Sequence, residues 1–277
     1  MKDSVKQNTR RTQRAGDGPA ITGLPAFNDN YLWLVRQGSL AAVVDPGDAA
    51  PVLAALQQQR LQLRAILLTH HHKDHVGGVL ELVERTGATV FGPANEKLPH
   101  CDRRLGQGDR LTLPELDLDL EVLDVPGHTA GHIAYAGRAA GVEPLVFCGD
   151  TLFAAGCGRL FEGTPAQMKE SLDKLAALPA RTRIYCAHEY TLSNLAWAAA
   201  VEPDNAALRI WHQQARQLRD QGEPTVPTTL DLERQVNPFL RTAVPEVAAA
   251  AAAHAGKPLA DETGVFAALR QWKNDFR

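Results

Sequence analysis

Residues 69–75 read Thr69-His70-His71-His72-Lys73-Asp74-His75, and the frame around this run decides the fold. Ala65-Ile66-Leu67-Leu68 precedes it, and an amphipathic pattern begins after Val76-Gly77-Gly78. A short apolar run rich in branched residues and closed by polar ones reads as a buried strand, here ending at Thr69. The imidazoles and the carboxylate then stand on the loop at the strand's carboxyl end, where ligand sites of layered α/β folds collect. Four histidines and one aspartate within seven residues suit a borderline cation such as zinc, which takes imidazole nitrogen and carboxylate oxygen. Side chains alternate along extended backbone, so His70 and His72 share one side while His71 points away. Asp74 and His75 fall around the turn and face a second ion. The plain alternative is a solvated histidine-rich loop or a metal-binding tag, but tags sit at termini and lack a strand before and a helix after.

Three further stretches place a polar ligand just after an apolar strand. Val122-Leu123-Asp124-Val125-Pro126 leads into Gly127-His128-Thr129, Leu145-Val146-Phe147-Cys148 into Gly149-Asp150-Thr151, and Ile184-Tyr185-Cys186-Ala187 into His188-Glu189-Tyr190. A lone strand-end His or Asp is more often a structural hydrogen-bonder. Taken with the first loop, these residues give His70, His72 and His128 for one ion and Asp74, His75 and His188 for another. Asp150 remains as a carboxylate able to bridge both. Such a division leaves open positions for water, as catalytic metal sites require.

The bulk properties exclude several classes. A chain of 277 residues holds one large domain, or a medium one with a smaller companion. Its 44% apolar and 22% charged residues are ordinary for a soluble globular protein. No apolar run approaches the ~20 residues that cross a bilayer. A formal charge of −3 leaves no electrostatic footprint for nucleic acid. The first 20 residues carry Lys2, Lys6, Arg10, Arg11 and Arg14 against Asp3 and Asp17, a net of +3, which leaves −6 on the remainder. They lack a signal peptide's apolar stretch and read as a disordered basic extension, with a transit peptide as the weaker alternative. Cys101, Cys148, Cys157 and Cys186 form no C-x-x-C pair, and Cys148 and Cys186 lie in apolar runs, which suits buried thiols in a reducing, cytoplasmic setting.

From Ile21 onward short strands dominate. Tyr31–Val35 and Ala41–Val44 flank a turn at Gln37-Gly38-Ser39, and Asp48 can cap a helix running to about Gln59. Gly87 stops the helix near Gly78–Arg85. Ala88–Gly92, the two halves of Leu111–Val125 split at Pro114, His132–Ala136, Leu145–Cys148 and Arg183–Cys186 read as strands. Thr164–Leu178 reads as a helix with Pro165 in its first turn. After His188 the pattern turns to helices alone: Thr191–Ala200, Asp204–Asp220, Pro245–Ala253 and Asp261–Trp272. Strands with helices followed by helices only suggest two domains, 21–188 and 189–277, after the extension at 1–20.

Thr-His-x-His-x-Asp-His followed by Gly-His-Thr, Gly-Asp-Thr and a final His resembles the ligand set of the metallo-β-lactamase superfamily. Within it the closer likeness is to glyoxalase II, the hydroxyacylglutathione hydrolases. Pro25-Ala26-Phe27-x-Asp29-Asn30-Tyr31 resembles that family's opening, and Cys148-Gly149-Asp150-Thr151-Leu152-Phe153 with Gly156-Cys157-Gly158-Arg159 its central block. His188-Glu189-Tyr190-Thr191 with Asn194-Leu195 is similar to its domain junction, and Asn237-Pro238-Phe239-Leu240-Arg241 with the Arg270–Phe276 tail to its C-terminal part. The likeness runs over Ile21 to Arg277.

The resemblance implies an α/β (α+β) protein: an αββα metallo-β-lactamase sandwich with a C-terminal all-helical domain that helps hold glutathione. The seven residues assigned above fall on the family's ligand positions, with Asp150 shared. Its glutathione contacts carry over to Arg159, Phe161, Tyr190, Arg270 and Lys273, although many members have Tyr where this chain has Phe161. Composition alone would read Arg270 and Lys273 as a solvated helix face.

The implied reaction is hydrolysis of S-(2-hydroxyacyl)glutathione, with S-D-lactoylglutathione as substrate and D-lactate and glutathione as products, the second step of methylglyoxal detoxification. Water between two cations has its pKa lowered toward ~7, so hydroxide is available to attack the acyl carbon. Asp74 orients it or takes its proton, and a thiolate leaves without strong acid help. Zinc is the first candidate metal, with iron and manganese as alternatives. A small-molecule thioester is the expected partner of a monomer, with no nucleic acid and no membrane. The competing readings are a mononuclear iron persulfide dioxygenase on the same fold, which lacks so long a helical tail, and a non-catalytic metal-binding module.

Overall fold

The computed structural model describes residues 19–141 and 143–276. The extension expected over residues 1–20 lies outside them except at its end, where Ala20 already opens the first strand.

The first sheet comprises β1 (Ala20–Ala26), β2 (Asn30–Gln37) and β3 (Leu40–Val44), then, after helix α1 (Ala49–Gln59), β4 (Gln62–Leu67). Two helices, α2 (Lys73–Val76) and α3 (Val79–Thr86), precede β5 (Thr89–Pro93) and β6 (Arg103–Leu105). The strands lie in sequence order, antiparallel from β1 to β3 and parallel from β3 to β6. Asp48 caps α1 by accepting from Ala50 N at 2.9 Å, and Gly87 closes α3 in the left-handed region.

Alternation along these strands sends their two faces into separate cores. Leu32, Leu34, Val43, Ile66 and Leu68 pack with Val52, Leu56, Val79 and Leu82 of α1 and α3. Trp33, Val35, Val44, Ala65 and Leu67 face the opposite way, into the larger core shared with the second sheet. A strand covered on both faces has to be apolar at every position, which is why Ala65–Leu68 carries no polar residue.

The second sheet contains β7 (Arg110–Leu113), β8 (Leu118–Asp124), β9 (Ile133–Ala139) and β10 (Leu145–Gly149). A small hairpin of β11 (Leu152–Phe153) and β12 (Gly156–Cys157) and the helix α4 (Pro165–Ala176) lead to β13 (Arg183–Cys186). Pro114 begins a 3-10 turn between β7 and β8, and Thr164 with Gln167 forms a capping box at α4.

The remaining chain forms α5 (Thr191–Val201), α6 (Ala206–Asp220), a two-residue strand β14 (Thr228–Thr229), α7 (Leu230–Val236), α8 (Pro245–Ala255) and α9 (Glu262–Asp275). The expectation of helices alone after His188 is therefore corrected by β14, which pairs antiparallel with β13 and completes the order β14-β13-β10-β9-β8-β7. A strand of two residues has no period to read; its place is set by the neighbour it pairs with. Trp197, Phe239, Phe266 and Leu269 join the same core as the two sheets, Trp197 stacking on Phe239 at 4.7 Å. Truncating either ring to alanine should cost about 3–5 kcal/mol. No helix of the described residues is long and apolar enough to cross a membrane.

Candidate metal centre

Four strand ends meet at one edge of the sandwich. Beyond β4, Thr69 N–H donates to Asp45 Oδ1 at 2.8 Å and Thr69 O accepts from Ile133 N at 3.0 Å, which ties the first sheet to the second. His72 precedes α2, whose single turn presents Asp74 and His75. The turn rests backbone to backbone on the loop after β3: a Cβ on Gly47 would lie 1.8 Å from Asp74 O. His128 follows β8, Asp150 follows β10 and His188 follows β13. Only glycine fits at position 158, where a Cβ would lie 1.9 Å from Asp150 O. A backbone bridge between Asn30 and His188 closes the ring of loops.

The seven candidate ligands converge as two groups. His72 Nδ1 lies 3.1 Å from His70 Nε2 and 3.0 Å from His128 Nε2. Asp74 Oδ2 lies 3.5 Å from both His75 Nε2 and His188 Nε2. Asp150 reaches both groups, with Oδ2 3.3 Å from His128 Nε2 and Oδ1 3.4 Å from both His75 Nε2 and His188 Nε2. Ligand atoms on zinc bonds of ~2.1 Å at tetrahedral angles sit about 3.4 Å apart, so these spacings fit a cation. His75 Nε2 and Asp150 Oδ1 are buried with no hydrogen-bond partner. Such orphans cost about 1–3 kcal/mol each unless something else satisfies them. Divalent ions fit this donor set.

An outer layer orients the imidazoles. The ring nitrogen facing away from the convergence contacts Thr69 Oγ1 for His70 (3.0 Å), Asp45 Oδ2 for His75 (3.1 Å), Arg159 O for His128 (2.9 Å) and Asp29 Oδ1 for His188 (2.7 Å). Thr69 in turn donates its hydroxyl to Asp45 Oδ2 at 2.7 Å, and Asn30 Nδ2 donates to Asp74 Oδ2 at 3.1 Å. Carboxylate or carbonyl partners of this kind fix the tautomer and raise ligand basicity. Buried His132 accepts from Asp150 N at 3.1 Å and stacks on His70 at 4.5 Å. None of Asp29, Asn30, Asp45 and His132 is assigned a role by the sequence pattern. The signal was present for Asp45, the first polar residue after Ala41–Val44, as Asp150 is after Leu145–Cys148. His71 faces away as expected: it pairs with Glu96 and, at 3.5 Å, with Glu162, and Glu96 also accepts from Thr129 Oγ1 and Gly131 N.

Electrostatics divide the centre. Burial, reinforced by neighbouring imidazoles, holds His70 well below the usual 6.5 and lowers His72 and His128. Burial pushes His75 the same way, but the carboxylates of Asp150 and Asp45 outweigh it and raise the group well above 6.5. His188 is also raised despite burial, by Asp150 and then Asp29. Asp150 is held well below the usual carboxylate range by His75 and His188 against its own desolvation.

The centre opens into a cleft of about 500 Å³ lined by Arg159, Phe161, Tyr190, Arg270 and Lys273 as well as by His72, Asp74, His128, Asp150 and His188. Phe161, 63% exposed, sets its ring 5.7 Å from His72 and 5.2 Å from His128. Tyr190 stacks on His188 at 4.7 Å. Lys273 Nζ donates to Ser193 O and Oγ at 3.0 Å, and burial, then Arg270 and Arg159, pushes its ammonium down to about 8. The solvated-face reading fails for Arg270, which is 5% exposed and donates from Nη1 to Cys157 O at 2.7 Å.

Residues 27–188 match the metallo-β-lactamase superfamily model, and residues 189–276 match the hydroxyacylglutathione hydrolase C-terminus model. A hydroxyacylglutathione hydrolase of Albidiferax ferrireducens is 59% identical over 253 residues, which cover 91% of this chain and 98% of the relative. One from Cupriavidus taiwanensis is 56% identical over 264 residues, 93% of this chain and 99% of the relative. Among solved structures, TTHA1623 in a di-iron-bound form is similar with a TM-score of 0.56 at 28% identity, covering 80% of this chain and all of its own.

Proposed function

The chain belongs to the metallo-β-lactamase superfamily and, within it, to the hydroxyacylglutathione hydrolases, and from that membership we propose that it cleaves S-D-lactoylglutathione to D-lactate and glutathione at a two-metal centre. It is a thioester hydrolase. The observation that carries the two-metal reading is the Asp150 carboxylate, whose Oδ2 lies 3.3 Å from His128 Nε2 and whose Oδ1 lies 3.4 Å from both His75 Nε2 and His188 Nε2. In this reading His70, His72, His128 and Asp150 hold one divalent ion, and Asp74, His75, His188 and Asp150 hold the other. Zinc suits the imidazole and carboxylate donors, and iron or manganese is accepted by the same set. The di-iron form of TTHA1623 is consistent with that breadth.

When bound, the two cations supply a water deprotonated near neutral pH and a Lewis-acid grip on the thioester carbonyl. The chain's own residues do the rest. Asp74, half-buried, accepts from Asn30 Nδ2 at 3.1 Å; burial raises its carboxyl, but His75 and that bond outweigh it, so the group stays ionised and can orient the nucleophile. Arg159 and Lys273 bring positive charge to a substrate bearing carboxylates, with Arg270 behind them. Phe161 covers the ring edges of His72 and His128 and keeps that side of the cleft apolar. A thiol of pKa ≈ 8.5 leaves as the thiolate without a strong acid.

The sheets of 21–188 and the helices of 189–277 support a catalytic domain followed by a glutathione-binding one. Four free cysteines, three of them buried, favour a reducing cytoplasm; the reading takes the chain as a monomer working on a small molecule. The paired groups favour this reading over a mononuclear oxygenase. The test is elemental analysis run beside thiol release from S-D-lactoylglutathione. Two ions per chain with thiol release independent of oxygen is expected; one ion per chain, or oxygen uptake in place of thiol release, would refute it.

A further inference from the structure

Besides pairing β14 with β13 and bonding the end of α4, the helical segment grips the β11–β12 hairpin that joins Asp150 to Arg159. Five consecutive residues of it are held by side chains from beyond residue 190. Asn237 Nδ2 donates to Phe153 O (3.2 Å) and to Gly156 O (3.0 Å). Asn194 Nδ2 donates to Ala154 O (3.0 Å), Glu233 Oε2 accepts from Ala155 N (2.8 Å), and Arg270 Nη1 donates to Cys157 O (2.7 Å). Asn237 Nδ2 also donates to Glu233 Oε2 at 3.1 Å, which makes the two one unit.

This is an expensive arrangement for packing alone. Glu233 and Asn237 are 0% exposed, and burying polar groups costs free energy unless each finds a partner. Here the partners are hairpin backbone groups that would otherwise be orphaned inside the core. Ala155 sits at φ +53, a left-handed conformation that an L-residue with a Cβ holds only when its surroundings over-determine it. The hairpin starts two residues after Asp150 and ends two residues before Arg159, whose carbonyl oxygen accepts from His128 Nδ1 at 2.9 Å. A slack hairpin would therefore move a shared ligand and the support of another together.

We infer that Glu233 and Asn237 are positioning residues for the metal centre: they clamp the β11–β12 hairpin so that Asp150 keeps straddling the two ligand groups. The inference rests on the two-metal reading. Burial pushes the Glu233 carboxyl up to about 7, against the bonds from Ala155 N, Thr228 and Asn237. Both of its hydrogen bonds to the hairpin and Asn237 fall on Oε2, and Oε1 has none, so a glutamine amide can reproduce the grip.

The experiment compares Glu233→Leu, which keeps the volume and loses the acceptor, with Glu233→Gln, in zinc-loaded full-length protein challenged with EDTA. Zinc per chain is followed over time, and kcat and KM are measured on the thioester. Glu233→Leu should release one ion about tenfold faster than wild type and lower kcat with KM little changed, while Glu233→Gln releases it within about twofold of wild type. Glu202→Gln serves as control, because Glu202 is also buried in the helical segment, at 7% exposed, but pairs with Arg241, away from the hairpin. It should lower the melting temperature without speeding release. Should Glu233→Leu not fold, Asn237→Ala removes the two donors to Phe153 O and Gly156 O and is held to the same release rates. Wild-type release from the Leu or Ala variant, or equally fast release from Glu202→Gln, overturns the inference. A wild type holding a single ion would refute the two-metal reading alone, and the ratio of release rates would still decide the role of Glu233.

Discussion

The two halves of the metal centre use the same donors and are prepared in opposite ways. His70, His72 and His128 are held neutral by burial and by one another, so their lone pairs are available before any ion arrives. His75 and His188 are pushed the other way, against burial, by Asp150, Asp45 and Asp29, so in the metal-free chain protons compete for the second half. Filling the first half meets weaker competition from protons than filling the second. The first half is poised to bind, and the second is poised to exchange. Asp150 belongs to both, and the comparison stands or falls on it.

The largest expected effect therefore comes from Asp150→Asn. Removing the shared charge should cut thioester hydrolysis by about a thousandfold or more and leave at most one ion per chain. Elemental analysis beside the thiol assay checks both halves of that statement. Two ions retained by the Asn variant would break the comparison, because the halves would then be independent.

Acid comes next in size. The raised His75 and His188 compete with the ion for protons, so affinity of the second half should fall by about tenfold per pH unit for each proton displaced. The first half, with imidazoles lowered from 6.5, should begin to weaken only at lower pH than the second. Metal per chain after dialysis from pH 8 down to about pH 5 should fall in two steps. A single step, with both ions lost together, would contradict this. The metal-free protein gives the complementary sign. His70, lowered when folded, contributes stability that is present above 6.5 and lost as pH falls through 6.5 toward its folded value. His75, raised when folded, contributes stability that is full below 6.5 and lost as pH rises through its raised value.

Asp45→Asn is the third test. Its Oδ2 touches His75 Nδ1 directly but reaches His70 only through the Thr69 hydroxyl. Affinity of the second half should fall by about 10–100-fold, and that of the first by less. Competition titration with a chelator separates the two constants, and an equal loss in both would show that Asp45 acts through the loop rather than through His75.

The ligands were legible in the sequence because each stands just after an apolar run, a local signal. Their supports were less so. Asp45 also stands just after an apolar run but without a histidine beside it, Asp29 and Asn30 lie in the stretch that resembles the family's opening with no role attached, and His132 reads as the start of a strand. What gives them a role is a partner 30 residues away for Asp45, and 159 for Asp29. Brevity hid the hairpin of β11 and β12, whose two-residue strands carry no period, and α7 was missed because its Glu233 reads as an ordinary charged helix position. The fold was legible wherever an apolar or amphipathic run was long enough to read, as at β2, β4 and α4. Arg270 shows the reverse failure: composition suggests a solvated cation, yet the residue is buried and its Nη1 donates to the Cys157 carbonyl. Its replacement by alanine should cost stability as well as substrate affinity, so it cannot report cleanly on the cleft.

Phe161 can, and it is the mildest test. The ring is 63% exposed and lies across the edges of His72 and His128, both ligands of the half that is poised to bind. A tyrosine there adds a hydroxyl at the mouth of the cleft without disturbing a packed core, since an exposed ring leaves room for one atom. If that hydroxyl meets a polar group of the glutathione moiety, a net hydrogen bond of about 0.5–1.5 kcal/mol lowers KM by roughly two- to tenfold. Because the contact is made equally before and during the reaction, kcat should not change. Steady-state kinetics of Phe161→Tyr distinguishes this from interference with the metal centre. A fall in kcat with KM unchanged would mean that the ring acts on His72 and His128 rather than on the substrate, and the apolar lip would then belong to the first half of the centre instead of to the cleft.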